Sequence, residues 1–63
     1  MNKNELRITL GQAYKGAVLA RDVFKDRDML LIGKGFTLTE TLIEKLRSNG
    51  VKHIYIVSEE NQQ

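Results

Sequence analysis

The sequence predicts a small α+β domain: an antiparallel sheet, read as strand, strand, strand, helix, strand, with the one helix packed on one face. Three observations carry this. Apolar residues at helical spacing run from Leu38 to Leu46, with a start signal before them and a glycine stop behind. Short apolar runs of strand length lie on both sides of that helix. The link between the second and third runs is only four residues, which suits neighbouring antiparallel strands.

Residues 1–5 are polar and are expected to be loose. Leu6, Ile8 and Leu10 then alternate with Arg7 and Thr9, the pattern of a half-buried strand. A connection bounded by Gly11 and Gly16 follows, with Tyr14 expected as a lid on the core edge. Residues 17–24 read as a second strand. Leu19 and Val23 share one face with Arg21, while Val18, Ala20 and Phe24 share the other with Asp22. Both faces are mixed, as in a strand partly covered on each side. Lys25, Asp26, Arg27 and Asp28 form the turn. It contains no glycine, so an aspartate is the expected source of any left-handed residue it needs. Residues 29–32 are wholly apolar and predict a third strand, buried on both faces or on one face with a partner on the other.

The stretch 33–57 is the most self-consistent. Gly33, Lys34 and Gly35 make a turn. Leu38, Leu42, Ile43 and Leu46 then fall on one helical face, with Glu40, Glu44, Lys45, Arg47 and Ser48 around the rest. Two start points compete. Thr37 with Glu40 has the spacing of a capping box; Thr39 as N-cap sets Leu38 against Ile43 as a hydrophobic staple. The staple also accounts for an apolar residue at 38, which favours Thr39. Glu40 in the first turn and Arg47 near the end both suit the helix dipole. Gly50 fits the left-handed position after the helix, and Val51 then meets Leu46 as in a Schellman ending. Residues 52–57 form the last strand, with Ile54 and Ile56 facing one way and His53, Tyr55 and Val57 the other.

Size and charge set the outer limits. The 63 residues make one domain, with a folded core at 6–57 and flexible tails at 1–5 and 58–63. The second tail reads either as a terminus or as the start of a linker. A chain this short buries roughly 60% of its unfolded surface, so its own core is marginal. It has no cysteine to staple it. No apolar run approaches the ~20 residues of a membrane span and no leader opens the sequence, so the expected place is the cytoplasm, with no membrane partner. The net charge of +2 comes from ten basic and eight acidic residues mixed along the chain, which argues against a nucleic-acid partner.

No constellation for catalysis, metal or cofactor binding is present. His53 is the only histidine and has no second ligand or base at a useful spacing, so it reads as structural or merely exposed. Asp22, Asp26 and Asp28 lack the glycine and closing glutamate of a calcium loop. Gly33-Lys34-Gly35 lacks the spacing of either phosphate-binding fingerprint. The chain is therefore expected not to be an enzyme.

Gly16-Ala-Val-Leu-Ala-Arg-Asp-Val23, Leu30-Leu31, Gly35-Phe-Thr-Leu-Thr-Glu40, Ile43-Glu-Lys-Leu46, Gly50-Val51 and Ile54-Tyr-Ile-Val57 together resemble the small module that precedes HD-GYP phosphodiesterase domains in bacterial cyclic di-GMP signalling proteins. The resemblance covers about residues 10–57. It implies a fold and a regulatory setting rather than an activity, since the catalytic His-Asp pair and Gly-Tyr-Pro signature have no counterpart here. Arg21 and Asp22 match the module's Ala-Arg-Asp-Val run and are expected to form a surface pair. The glycine usual before the Leu-Leu strand is replaced by Asp28.

The expected function is thus a non-enzymatic interaction or regulatory module of bacterial signalling. A single helix covers one side of so small a sheet, so a dimer or higher homo-oligomer, or an adjacent signalling domain, is expected to cover the other. The candidate interaction residues are Arg21, Asp22, Lys34 and Tyr55. Two alternatives stand beside this. A nucleic-acid-binding protein would use Lys15, Arg21, Lys25 and Lys34. A non-catalytic cyclic-dinucleotide receptor would use Arg21 or Lys34 for phosphate and Tyr14 or Tyr55 for stacking.

Overall fold

The computed structural model describes residues 4–58, and within them the chain is a small α+β fold with the predicted element order. The alternation of Leu6 and Ile8 produces β1, Asn4–Thr9. It pairs antiparallel with β4, His53–Ser58, setting Leu6 opposite Ile56 and Ile8 opposite Ile54. Both isoleucines of β4 are buried, while His53 on the opposite face is exposed and Tyr55 and Val57 are half-buried, as the period of two requires.

The strand expected at 17–24 is broken in two. Residues 17–20 lie between two neighbours. On one side the Ala20 N–H donates to the Tyr55 carbonyl and the Val57 N–H to the Val18 carbonyl, both at 2.9 Å. On the other, the Leu38 N–H donates to the Ala17 carbonyl at 2.7 Å and the Leu19 N–H to the Phe36 carbonyl at 3.0 Å. The backbone bends at Ala20 and Arg21, and pairing resumes only as β2, Val23–Phe24, which forms an antiparallel hairpin with β3, Leu30–Ile32. The bend exists because the two halves answer to different partners. The face assignment survives it for the apolar residues: Leu19 and Val23 are both buried, with Arg21 turned out to solvent.

The third strand also departs from expectation. Ile32 is buried and Leu31 half-buried, but Leu30 is 53% and Met29 52% exposed. Only the base of the hairpin reaches the core: Val23 and Ile32, which face each other, are buried, and the next pair out, Phe24 and Leu30, is not. A strand buried on both faces is therefore excluded within one copy. The turn closes with the Lys25 N–H donating to the Met29 carbonyl at 2.8 Å. It uses no left-handed aspartate, since no described residue other than glycine has positive φ.

The helix α1, Glu40–Ser48, starts at Thr39, whose Oγ1 accepts the Leu42 N–H at 3.1 Å. Leu38 before it is fully buried, and Ile43 packs on the same core. Its end is a complete Schellman motif. Gly50 has φ +80°, its N–H donates to the Arg47 carbonyl, and the Val51 N–H donates to the Leu46 carbonyl, both at 3.1 Å. Leu46 of the helix, Leu38 just before it and Leu19 of the 17–20 segment are the largest fully buried side chains.

The folded part is longer than expected. Asn4 and Glu5 belong to β1, and Ser58 closes β4 opposite Asn4. Residues 1–3 and 59–63, the rest of the predicted tails, lie outside the described residues. Among the described residues no helix is long and apolar enough to cross a membrane.

Candidate functional site

The four candidate residues separate into two structural pairs. Arg21 projects from the bend and lays its guanidinium over the Tyr55 ring, 4.0 Å from the centroid. Its Nε donates to Glu5 Oε1 at 2.7 Å. Glu5, Tyr55 and Arg21 thus tie β1, β4 and the bend together across the sheet face away from the helix. Both charged side chains stay well exposed, 57% and 39%, so the ion pair is worth at most about 1 kcal/mol. The cation–π contact adds a similar amount, about 0.5–1 kcal/mol. Arg21 is therefore paired with Glu5 and not, as expected, with its neighbour Asp22.

Asp22 has another task. Its Oδ1 accepts the backbone N–H of Lys34 at 2.8 Å, pinning the turn that leads from β3 back to the sheet. In that turn Gly35 adopts φ +92°, which favours glycine, whereas Gly33 does not need its freedom. Lys34 contributes its backbone here, and its exposed side chain lies beside a depression it shares with Glu5.

Arg21, Lys25, Lys52, His53 and Tyr55 line a shallow groove of about 500 Å³. The one carboxylate in its lining, Asp22, is the residue engaged with Lys34. The groove is cationic, but Asn49 and Gly50 at its rim bring in the negative end of the α1 dipole, which opposes an anion there. Tyr14 is 55% exposed and lies apart, flanking a different depression with Leu6. Arg21, Lys34 and the two tyrosines are thus not gathered into one ligand site.

Sequence reasoning missed two features. Glu5, expected in the loose tail, instead continues the alternation of Leu6 and Ile8 and lies on the face of Arg7. The second feature is the apolar hairpin. Phe24, Met29 and Leu30 are 46%, 52% and 53% exposed on one two-stranded projection, three large apolar side chains facing water. Their hydrophobicity was legible; their exposure depends on how far the hairpin reaches past the core.

Every buried residue among those described is apolar. Among the described residues no three acidic, histidine or cysteine side chains gather as metal ligands.

No family model, curated protein or solved structure matches the chain.

Proposed function

We propose that the protein is a non-enzymatic interaction and regulatory module of bacterial signalling in the cytoplasm, similar in role to the modules that precede HD-GYP phosphodiesterase domains. It acts by docking, either on a neighbouring signalling domain or on a second copy of itself. The observation that supports this is the β2–β3 hairpin, which exposes Phe24, Met29 and Leu30 in a chain whose buried core is small. Exposed large apolar residues that share one projection mark a contact surface better than scattered single ones do.

The test joins two measurements. Light scattering at high micromolar concentration reads self-association, and calorimetry reads binding to an isolated HD-GYP phosphodiesterase domain. The double variant Met29→Glu/Leu30→Glu should keep the circular dichroism spectrum and lose the binding to that domain or, where the hairpin carries it, the self-association. A wild type that is inert in both would end the docking proposal.

The cationic groove supports a second reading, a non-catalytic receptor for a cyclic dinucleotide. Against it, the guanidinium of Arg21 already covers a face of Tyr55 that a guanine would need. Titration with cyclic di-GMP is expected to give no binding heat. Saturable heat that Arg21→Ala removes would reverse the order of the two readings.

A further inference from the structure

β1 is the edge of the sheet, and its free side is unusually complete. Leu10 donates its N–H to the Lys52 carbonyl at 2.8 Å, so the even-numbered residues of β1 point their backbone groups towards β4. The odd-numbered residues Glu5, Arg7 and Thr9 point theirs the other way. The Thr9 N–H is already taken by Gln12 Oε1 at 3.0 Å. The N–H and C=O groups of Glu5 and Arg7 have no backbone partner among the described residues. Between them stands Leu6, an apolar residue left 48% exposed on the core side of the sheet.

An open edge of this kind is a template for another strand. Folded proteins often protect edges with charges of one sign, which repel a second copy. Here Glu5 and Arg7 carry opposite charges two positions apart, and that spacing is self-complementary in one antiparallel register; Glu5 bonds Arg21 through Oε1 but its side chain stays 39% exposed. With Leu6 opposite the second copy's Leu6, Glu5 faces the second copy's Arg7, and Arg7 faces its Glu5. Sliding by two residues would set Glu5 against Glu5 or Arg7 against Arg7, each a destabilising pair. The backbone agrees with the charges. Glu5 and Arg7 are the residues with outward hydrogen-bonding groups, so each facing pair exchanges two bonds. Leu6 then falls at a non-hydrogen-bonded position, where facing side chains approach most closely.

We infer that β1 forms an antiparallel edge-to-edge contact with β1 of a second copy, about a two-fold axis through Leu6. The two β1–β4 pairs then run as one continuous sheet. The occupant is a second copy because the edge is complementary to itself: one strand supplies both signs, the apolar centre and both sets of backbone groups. The contact is short, which places it among weak, transient associations. It leaves the β2–β3 hairpin free, so it deepens the docking reading by naming one partner, on a surface that the hairpin substitutions do not touch.

The chain contains no cysteine, so a single introduced thiol reports the register directly. Leu6→Cys brings two thiols together at the axis, whereas Thr9→Cys leaves them about 20 Å apart, six residues out of step at ~3.4 Å each. At high micromolar concentration under mild oxidant, Leu6→Cys should cross-link at least about tenfold faster than Thr9→Cys. Arg7→Glu and Glu5→Arg should each weaken the wild-type dimer about tenfold. Mixing the Arg7→Glu chain with the Glu5→Arg chain should restore association, because every facing pair is then of opposite sign. Circular dichroism melts confirm that each variant is folded. Equal cross-linking of the two cysteine variants would overturn the contact, as would a monomeric wild type or a mixture that stays apart. A dimer lost in Met29→Glu/Leu30→Glu but indifferent to Arg7→Glu would overturn the β1 contact while leaving the docking proposal in place.

Discussion

The helix with its two ends and the bend-and-hairpin region between residues 20 and 32 are built on different principles. At the helix every determining contact is local. Thr39 caps Leu42 three residues on, and Gly50 and Val51 return to Arg47 and Leu46. In the bend the determining contacts come from far along the chain: Arg21 to Glu5, Asp22 to Lys34, Ala20 to Tyr55. Local signals fix the part that buries apolar surface. Distant ones fix the part that buries Val23 and Ile32 at its base and leaves Phe24, Met29 and Leu30 exposed beyond it.

The sharpest way to separate the two regions is to remove one buried side chain. Leu46 is fully buried, and Leu46→Ala should cost about 2–5 kcal/mol. A core in a chain this small rarely supplies more than about 3–5 kcal/mol, so the variant should show little or no cooperative thermal transition. A melt within a few degrees of wild type would mean that the helix does not anchor the core.

Glycines give the next comparison. Gly50 holds φ +80°, and a Cβ there would meet nothing within 4 Å, so Gly50→Ala tests conformation without a clash. About 1 kcal/mol is expected, or roughly 5 °C in melting temperature. Gly33 has no such constraint, and its Cβ would sit 3.8 Å from Asp22 Oδ1, an ordinary contact. Gly33→Ala should be neutral or slightly stabilising through the unfolded chain. Equal losses at the two glycines would show that position 33 is constrained by something other than its dihedral angles.

This contrast also explains what the sequence could disclose. The Thr39 cap, the Leu38–Ile43 staple and the Gly50 stop each lie within five residues of what they control, so one reading frame contains cause and effect. The break at Ala20 and Arg21 has no local signal; it follows from residues 17–20 finding partners in β4 and at 35–38, while 23–24 find theirs in β3. The same holds for the candidate site. Arg21 and Asp22 were legible as polar residues in an apolar run, but their partners are 16 and 12 residues away. Met29 and Leu30 looked buried because hydrophobicity was the available signal, and reach past the core was not.

Asp22 tests the long-range side. Asp22→Ala removes the acceptor for the Lys34 N–H and should cost about 1 kcal/mol, with the turn at 33–35 losing amide-exchange protection. Asp22→Asn keeps an acceptor oxygen and should lose less than half of that. If alanine and asparagine behave alike, the hydrogen bond is not what fixes the turn.

The smallest expected effect on stability carries the most functional weight. Met29 is 52% exposed beyond the buried base of the hairpin. Met29→Gln preserves the aliphatic stem and changes only the outer end, so stability should move by no more than about 0.5 kcal/mol. If the hairpin existed only to complete the fold, such a change would be silent in every assay. As a docking surface it cannot be: association should weaken while the melt stays fixed, because the surface lost is one that only the complex buries. A loss of stability with unchanged association would reverse the assignment, making the hairpin part of the core and returning it to the class of the helix.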